Sequence, residues 1–280
     1  MRRLFLKTLL LLLPFALVAG IVARVDPFRY FTWNAERADE ADGDIAYRMD
    51  PPLWKLAAFR NHPAPHILLG DSRMASLDPA RIGELAGAEF ANLGYGGGSL
   101  EEAIKTFWVA DRKVALRSAT FGVNLDLYNQ SNSKDRVTGT EQVLANPALY
   151  LCDRVVLRTT YYSIARRLTG KQPAIGVPPM NPDVFWRFQL DVTARIAYES
   201  YRYPESYRRR LEEDAAHCRE KNIALRFIIF PEHQDLARLA QSYGLAAAAG
   251  RMKTDLAALG ETVDLSEVVD PSDRSLFTDP

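Results

Sequence analysis

The sequence predicts an α/β domain with three layers, α/β/α, built on about five parallel strands and preceded by one transmembrane helix. Three observations support this prediction. An uncharged apolar run lies near the N-terminus, short apolar runs alternate with amphipathic segments, and turn-forming residues separate them. Strand patterns that alternate with helix patterns are typical of a parallel sheet with helices on its faces.

The composition is that of an ordinary globular protein. The 280 residues are 48% hydrophobic and 25% charged, which suffices for one sizeable domain with its own core. Lys and Arg together number 35, and so do Asp and Glu. Because the chain is neutral and has no basic stripe, we expect no nucleic-acid partner.

Metal-ligand and disulfide patterns are sparse. The chain has four His and two Cys, and the two Cys do not form a Cys-x-x-Cys pair. We therefore expect no metal and no other cofactor. Cys152 and Cys218 form one disulfide if the domain is exported, or stay as two buried free thiols.

The first 24 residues predict a membrane anchor. Arg2, Arg3 and Lys7 precede an uncharged run over residues 8–23. With Lys7 reaching back to the interface, the apolar stretch has about the 20 residues that a bilayer span needs. The basic residues predict a single-pass protein of the inner (cytoplasmic) membrane, with the rest of the chain in the periplasm or outside the cell. The alternative is a cleaved signal peptide, although no clean Ala-x-Ala site follows.

A polar connector is predicted over residues 25–65, with one short helix near 53–60. The α/β domain is predicted over 66–280. Its first half alternates strands and helices. The predicted strands are 67–69, 89–93 and 119–123, and the helices between them are 78–85 and 99–111.

Two of these helices begin with recognisable caps. Asp78 followed by Pro79 suits an N-cap and a first turn. Ser99 with Glu102 three residues later forms a capping box. Both patterns predict the helix starts independently of hydrophobic periodicity.

An insertion is predicted at about 125–203, where the alternation stops. The interval is rich in Tyr, Arg, Asn and Pro and predicts one or two helices, for example 153–169. Its tyrosines can line a carbohydrate groove or pack the insertion onto the core, and we favour packing. The alternation then resumes with predicted helices 205–221, 234–243 and 246–259 and strands 225–230 and 262–265.

Three predicted strand ends carry groups suited to ester chemistry, and sites in open parallel sheets gather at such ends. The first strand ends in Gly70-Asp71-Ser72-Arg73, a tight turn that can present the Ser72 hydroxyl beside backbone N–H groups. The second ends in Asn92 and the glycine-rich residues 94–98. The third ends in Asn124, whose amide can donate to an oxyanion.

The glycine-rich stretch also raises the hypothesis of nucleotide binding. A dinucleotide fingerprint fails in detail, because Ser99 stands where the last glycine belongs and the glycines do not follow the first strand. No Walker A pattern is present either. The remaining alternative is a flexible turn.

Taken together, the three strand ends resemble the SGNH (GDSL-type) hydrolase family, whose domain is flavodoxin-like. The family has a Gly-Asp-Ser turn, an Asn-x-Gly-x-x-Gly turn and a Gly-x-Asn-Asp turn, and this chain has Leu125 where the last Asp is usual. The resemblance covers residues 65–123 well and the region after 205 loosely. The matching residues are Gly70, Asp71, Ser72, Asn92, Gly94, Gly97, Gly122 and Asn124.

The resemblance implies Ser72 as the nucleophile and an oxyanion hole made by the N–H groups of Ser72 and Gly97 and the amide of Asn124. Asp71, Arg73 and Asn92 would support this site. The family's Asp-x-x-His block falls at Asp279, and its His is expected two residues after Pro280, so we expect the sequence to stop short of the full gene product. His233 is the alternative base, because it alone among the four His follows a strand at the correct edge.

The layout also looks like the anchored, exported branch of this superfamily, which includes the teichoic-acid D-alanylation protein and the alginate O-acetylation proteins. This implies a serine ester hydrolase or O-acyltransferase that acts on envelope polysaccharide. The alternative is a non-catalytic SGNH-like module that binds glycan or envelope-assembly partners.

Overall fold

The structure, a computed structural model, describes residues 1–31, 40–176 and 180–279. The strands are β1 (His66–Leu69), β2 (Phe90–Asn92), β3 (Ser118–Gly122), β4 (Ala224–Ile229) and β5 (Glu261–Asp264). The helices are α1 (Arg2–Val25), α2 (Glu40–Met49), α3 (Pro51–Asn61), α4 (Ser72–Ala75), α5 (Pro79–Ala86), α6 (Leu100–Asp111), α7 (Val137–Ala145), α8 (Pro147–Cys152), α9 (Arg154–Thr169), α10 (Pro182–Phe188), α11 (Arg195–Glu199), α12 (Glu205–Lys221), α13 (Gln234–Ser242) and α14 (Ala246–Leu259).

The chain forms two compact units, each made from two separate stretches. Of the described residues, the helical unit comprises 1–31, 40–62 and 138–176, and the sheet unit comprises 63–137 and 180–279. The described part of the predicted connector therefore belongs almost wholly to the helical unit. Residues 32–39 of that connector lie outside the described residues.

The helical unit closes around the C-terminal end of α1. Asp26 caps this helix in the left-handed region, with φ of 46°. Its carboxylate accepts hydrogen bonds from the backbone N–H groups of Tyr30 and Phe31 and from the hydroxyl of Tyr150. The surrounding buried core comprises Val22, Phe28, Tyr30, Ala46, Leu53, Ala57, Tyr150 and Val156.

Helix α1 exposes large apolar side chains along much of its length, among them Leu10, Leu11, Phe15 and Leu17. Within the described residues, however, no helix combines the length and the apolar character that crossing a membrane requires. The side chains of Arg2 and Arg3 lie outside the described part of the chain. The predicted anchor is not confirmed.

The sheet unit contains a five-stranded, all-parallel sheet in the order β2-β1-β3-β4-β5. This confirms the predicted α/β class and the number of strands. The order 2-1-3-4-5 is one of the two common orders of doubly wound sheets. The central strands are apolar because they are buried: Ile67, Leu69 and Phe121 have no exposed surface.

Glycine is required where β1 and β3 end side by side. Gly70 has φ of 151°, and a Cβ added there would lie 2.8 Å from the carbonyl oxygen of Gly122. A Cβ on Gly122 would lie 2.7 Å from the ring of Phe230. The two glycines let the turn after β1 approach the end of β3 closely.

The insertion is more helical than predicted. It contains α7, α8, α9, α10 and α11, together with a π-helical turn over Gln189–Ala194, where one or two helices were expected. Most of the first three of these helices falls in the helical unit, whereas the π-helical turn belongs to the sheet unit. The connector likewise has α2 in addition to the predicted helix.

The two cysteines are free thiols, so the disulfide alternative is wrong in this structure. Cys152 is exposed and Cys218 is buried. The prediction of two buried thiols therefore holds for Cys218 alone.

Candidate functional site

A cavity of about 450 Å³ lies in the sheet unit beside the ends of β1 and β3. The chain runs from β1 to β2 on one side and returns to β3 on the other, so the strand order reverses between β1 and β3. Doubly wound sheets bind ligands in the crevice at such a reversal. Residues that follow each of these strands, Ser72 and Asp126, line the cavity.

Ser72 is the first residue of α4 and its side chain is exposed. Asp71 precedes it as the N-cap and accepts the backbone N–H of Arg73 at 2.9 Å. Within the described residues, neither the N–H nor the hydroxyl of Ser72 has a hydrogen-bond partner. The turn therefore leaves a hydroxyl and a backbone donor free at a residue that lines the cavity.

Gly97 also lines the cavity and adopts φ of 56°, in the left-handed region that favours glycine. The turn around it is held by backbone hydrogen bonds from Gly98 to Tyr95 and from Tyr95 to Gly70. Lys134 donates to the carbonyl of Gly97 at 3.1 Å. In the described chain the N–H of Gly97 has no partner, so it is the second backbone donor at the cavity.

The two predicted asparagines support the turns and do not line the cavity. Asn92 donates to the carbonyls of Met74 and Leu77, which fastens α4 to the end of β2. Asn124 is buried, and its amide donates to Oδ2 of Asp71 at 3.3 Å. The prediction that Asn124 supplies an oxyanion donor is therefore not supported, because its amide donates to Asp71, the N-cap residue of α4.

Arg73 joins two carboxylates at the edge of the cavity. Its Nη1 lies 3.2 Å from Asp71 Oδ2 and 3.5 Å from Asp126 Oδ1. Burial alone would lower the pKa of Arg73, but Asp126 and Asp71 outweigh it and raise the pKa above its ordinary value. The guanidinium is therefore charged at any physiological pH and forms ion pairs with these two carboxylates.

Two carboxyl groups near Arg73, those of Asp71 and Glu232, hold protons more tightly than usual. Burial raises the pKa of Asp71 to about 6, although Arg73 acts in the opposite direction. Burial likewise raises the pKa of Glu232 to about 7, again against the effect of Arg73. One arginine thus neutralises only part of an acidic cluster, and clusters with such shifted pKa values are frequent at functional sites.

Asp279 lines the same cavity as Ser72 and Gly97. Its charge also raises the pKa of Asp71 and of Arg73. The prediction that Asp279 belongs with Ser72 thus agrees with its position, even though 207 positions of sequence separate them (279 − 72).

His233 does not line this cavity. It is the buried N-cap of α13, and its Nδ1 accepts the backbone N–H of Asp235 at 3.2 Å. Its ring packs edge-on against Trp186 and Phe277. The alternative of His233 as the base therefore has no support, and no imidazole lines the cavity in the described chain.

The insertion supplies the part of the cavity wall that the sequence did not predict. Gln189 and Thr193, both in the π-helical turn, line it together with Asn132. Asp126 and Glu232 were likewise not predicted as site residues. No sequence pattern could have identified Gln189 and Thr193, because a π-helical turn is defined by hydrogen-bond geometry and has no residue signature.

Comparison with protein families found no family that matches this chain, and comparison with curated proteins found no match either. The site's chemistry therefore rests on its own geometry. The cavity holds an exposed hydroxyl, two backbone donors and several carboxyl groups. In the described chain no group of three or more His, Cys, Asp or Glu side chains is placed to hold a metal ion.

Proposed function

We propose that this protein is a serine ester hydrolase or O-acyltransferase that acts on envelope polysaccharide. One observation carries the proposal: Ser72, Gly97 and Asp279 line a single cavity at the carboxyl ends of a parallel sheet. The resemblance to SGNH hydrolases assigns a catalytic role to each of these three residues. The strand order 2-1-3-4-5 and the close glycine contacts are compatible with that flavodoxin-like, three-layer fold.

In the proposed reaction, the Ser72 oxygen attacks an ester carbonyl and the Ser72 proton passes to a base. The N–H groups of Ser72 and Gly97 donate to the oxyanion of the tetrahedral intermediate. Collapse expels the alcohol, which takes up the proton, and leaves an acyl-serine. Water or a sugar hydroxyl then attacks the acyl-serine and releases the acid or a new ester. We assign this proton to the Asp279 carboxylate, which lines the same cavity as Ser72, whereas the resemblance gives Asp279 the role of orienting a base.

Replacement of Ser72 by Ala tests the proposal. We expect the turnover of p-nitrophenyl acetate to fall by about 10³-fold or more, as is usual when a serine nucleophile is removed. Ser242→Ala is the matched control, because Ser242 is exposed on α13 and does not line the cavity. Retained turnover in Ser72→Ala would contradict the proposal.

A non-catalytic module that binds glycan is the second candidate. It is favoured by the absence of an imidazole from the cavity wall in the described chain, since a serine hydroxyl normally needs such a base. The same experiment separates the two candidates. A wild-type protein that binds glycan but turns over no acetyl ester is a binding module.

We also propose that α1 attaches the protein to the inner membrane. Its exposed leucines and Phe15 support this, because an uncovered apolar helix is stable only against lipid or another apolar surface. We expect the full-length protein in the membrane fraction and a Leu11→Asp, Phe15→Asp variant outside it. Leu85→Asp is the control, since Leu85 is an exposed apolar residue of α5. A mature N-terminus beyond residue 23 would instead identify a cleaved signal peptide.

A further inference from the structure

We propose that the cavity binds an uncharged, hydroxyl-rich sugar and disfavours acidic polysaccharide, and that Gln189 and Thr193 recognise this sugar. The inference deepens the proposed function, on which the assignment of a polysaccharide substrate rests. Three independent features of the cavity support it: unused polar side chains, buried polar atoms without partners, and a surplus of carboxyl groups.

The first feature is a set of neutral polar side chains on the wall. Within the described residues, the side chains of Asn132, Gln189 and Thr193 make no hydrogen bond. By contrast, the side chains of Asn129 and Ser131 donate hydrogen bonds to the carbonyls of Ala197 and Ser200, which joins two parts of the insertion. Amides and hydroxyls that are left free at a cavity are groups that bind sugar hydroxyls.

The second feature is a smaller space of about 40 Å³ that shares Arg73, Asp126, Gln189, Thr193 and Asp279 with the main cavity. Such a volume admits a group as small as a hydroxyl or hydroxymethyl, since one water needs about 10–15 Å³ by the same measure.

Beside this small space, the buried hydroxyl of Tyr198 lacks a hydrogen-bond partner in the described chain, and Oδ1 of Asp126 has no hydrogen bond beyond its 3.5 Å ion pair with Arg73. Buried polar atoms are normally paired, so both atoms are available to a group that enters the small space. A sugar hydroxyl can donate to Asp126 while it accepts from Tyr198.

The third feature is the charge of the site. Asp71, Asp126, Asp279 and Glu232 all act on Arg73, whose guanidinium pairs with two of them, and Lys253 also acts on Glu232. Near the glycine turn, Lys134 donates to the carbonyl of Gly97, and Arg136 pairs with the buried Glu102.

A uronate or phosphate beside Arg73 would therefore meet more carboxyl groups than cations. An uncharged sugar avoids this repulsion. The charge thus selects against acidic polysaccharides and nucleotides, whereas the free amides and hydroxyls suit neutral sugars.

Binding to the Ser72→Ala protein tests the inference without turnover. Isothermal titration would compare three uncharged pentasaccharides (cellopentaose, maltopentaose and chitopentaose) with pentagalacturonate. We expect at least one uncharged sugar to bind about tenfold tighter than pentagalacturonate, the effect of about one charged contact. If none binds, or if pentagalacturonate binds as tightly, the inference is overturned.

Variants of the wall identify the residues. Gln189→Ala with Thr193→Val is expected to weaken binding of the uncharged sugar by about tenfold, since two hydrogen bonds are lost. Gln241→Ala is the control, because Gln241 is exposed on α13 outside the cavity. Gln189→Lys is expected to strengthen pentagalacturonate binding, a gain that misfolding cannot produce. Unchanged affinities in both wall variants would overturn the assignment.

The outcome is separable from that of the proposed function. If Ser72→Ala keeps the turnover of p-nitrophenyl acetate, the proposed chemistry fails while sugar binding can still be measured. If turnover depends on Ser72 but no uncharged sugar binds, only this inference fails.

Discussion

Two buried tyrosines, one in each unit, differ in whether the hydroxyl has a hydrogen-bond partner. Tyr150 of the helical unit is fully buried, and Tyr198 of the sheet unit is 3% exposed. The Tyr150 hydroxyl donates to Asp26 Oδ1 at 2.7 Å and also accepts the backbone N–H of Phe28. The Tyr198 hydroxyl has no partner in the described chain.

The difference separates a structural group from one available to a ligand. Around Tyr150, the carboxylate of Asp26 is bonded by two backbone N–H groups as well as by the tyrosine. Around Tyr198, the carboxyl groups of Asp126 and Glu232 lie near Arg73, and Oδ1 of Asp126 has no hydrogen bond beyond its 3.5 Å ion pair with Arg73. A completed network stabilises the fold, whereas an incomplete one beside a cavity leaves room for a bound group.

The largest expected effect is that of Tyr150→Phe. The change removes a hydrogen bond to a buried carboxylate, and we expect a loss of about 2 kcal/mol in the free energy of unfolding. Urea unfolding of the full chain, followed by circular dichroism, measures it.

Tyr198→Phe is the matched comparison. Because its hydroxyl is unpaired, we expect the free energy of unfolding to change by less than about 0.5 kcal/mol. If Tyr150→Phe and Tyr198→Phe lost equal free energy of unfolding, the two hydrogen-bond networks would not differ as proposed.

An effect smaller than that of Tyr150→Phe is expected from Glu232, whose raised pKa gives a defined pH dependence. Because the folded-state pKa of about 7 lies above the ordinary value of 4.5, the folded state binds the proton more tightly. The resulting stability is fully present below pH 4.5 and is lost as the pH rises through 7. We expect Glu232→Gln to remove about 1 kcal/mol of this dependence, since Glu232 is only partly buried and Arg73 offsets it.

Thermal unfolding of the wild type and of Glu232→Gln between pH 4.5 and 8 checks this expectation. Glu220→Gln serves as the control, because Glu220 is exposed on α12. If the wild-type and Glu232→Gln profiles run parallel, the acidic cluster does not hold protons as its burial implies.

Much of the sheet unit could be predicted because its signals are local. The helix at residues 205–221 has the observed bounds, and the capping box of Ser99 and Glu102 forms as expected. Each of the five predicted strands overlaps an observed one, within one or two residues at its ends. Caps and apolar runs act within a few residues, so they can be recognised from the chain alone.

The insertion shows where local patterns fail. Its helices belong to two different units, and nothing in the sequence between residues 125 and 203 marks that division. The π-helical turn that carries Gln189 and Thr193 depends on packing against α11 and α13. Contacts between distant segments decide such features, and periodicity contains no information about them.

The sequence by itself determined the parallel α/β class, the Gly70-Asp71-Ser72 turn, and the residue types at three strand ends. The tertiary structure decided which polar groups form hydrogen bonds with each other. It directed the Asn124 amide to Asp71, used His233 as a cap, and left the Tyr198 hydroxyl unpaired. The physical reason is that a turn is specified by neighbouring residues, whereas the partner of a buried polar group is supplied by whichever distant segment packs against it.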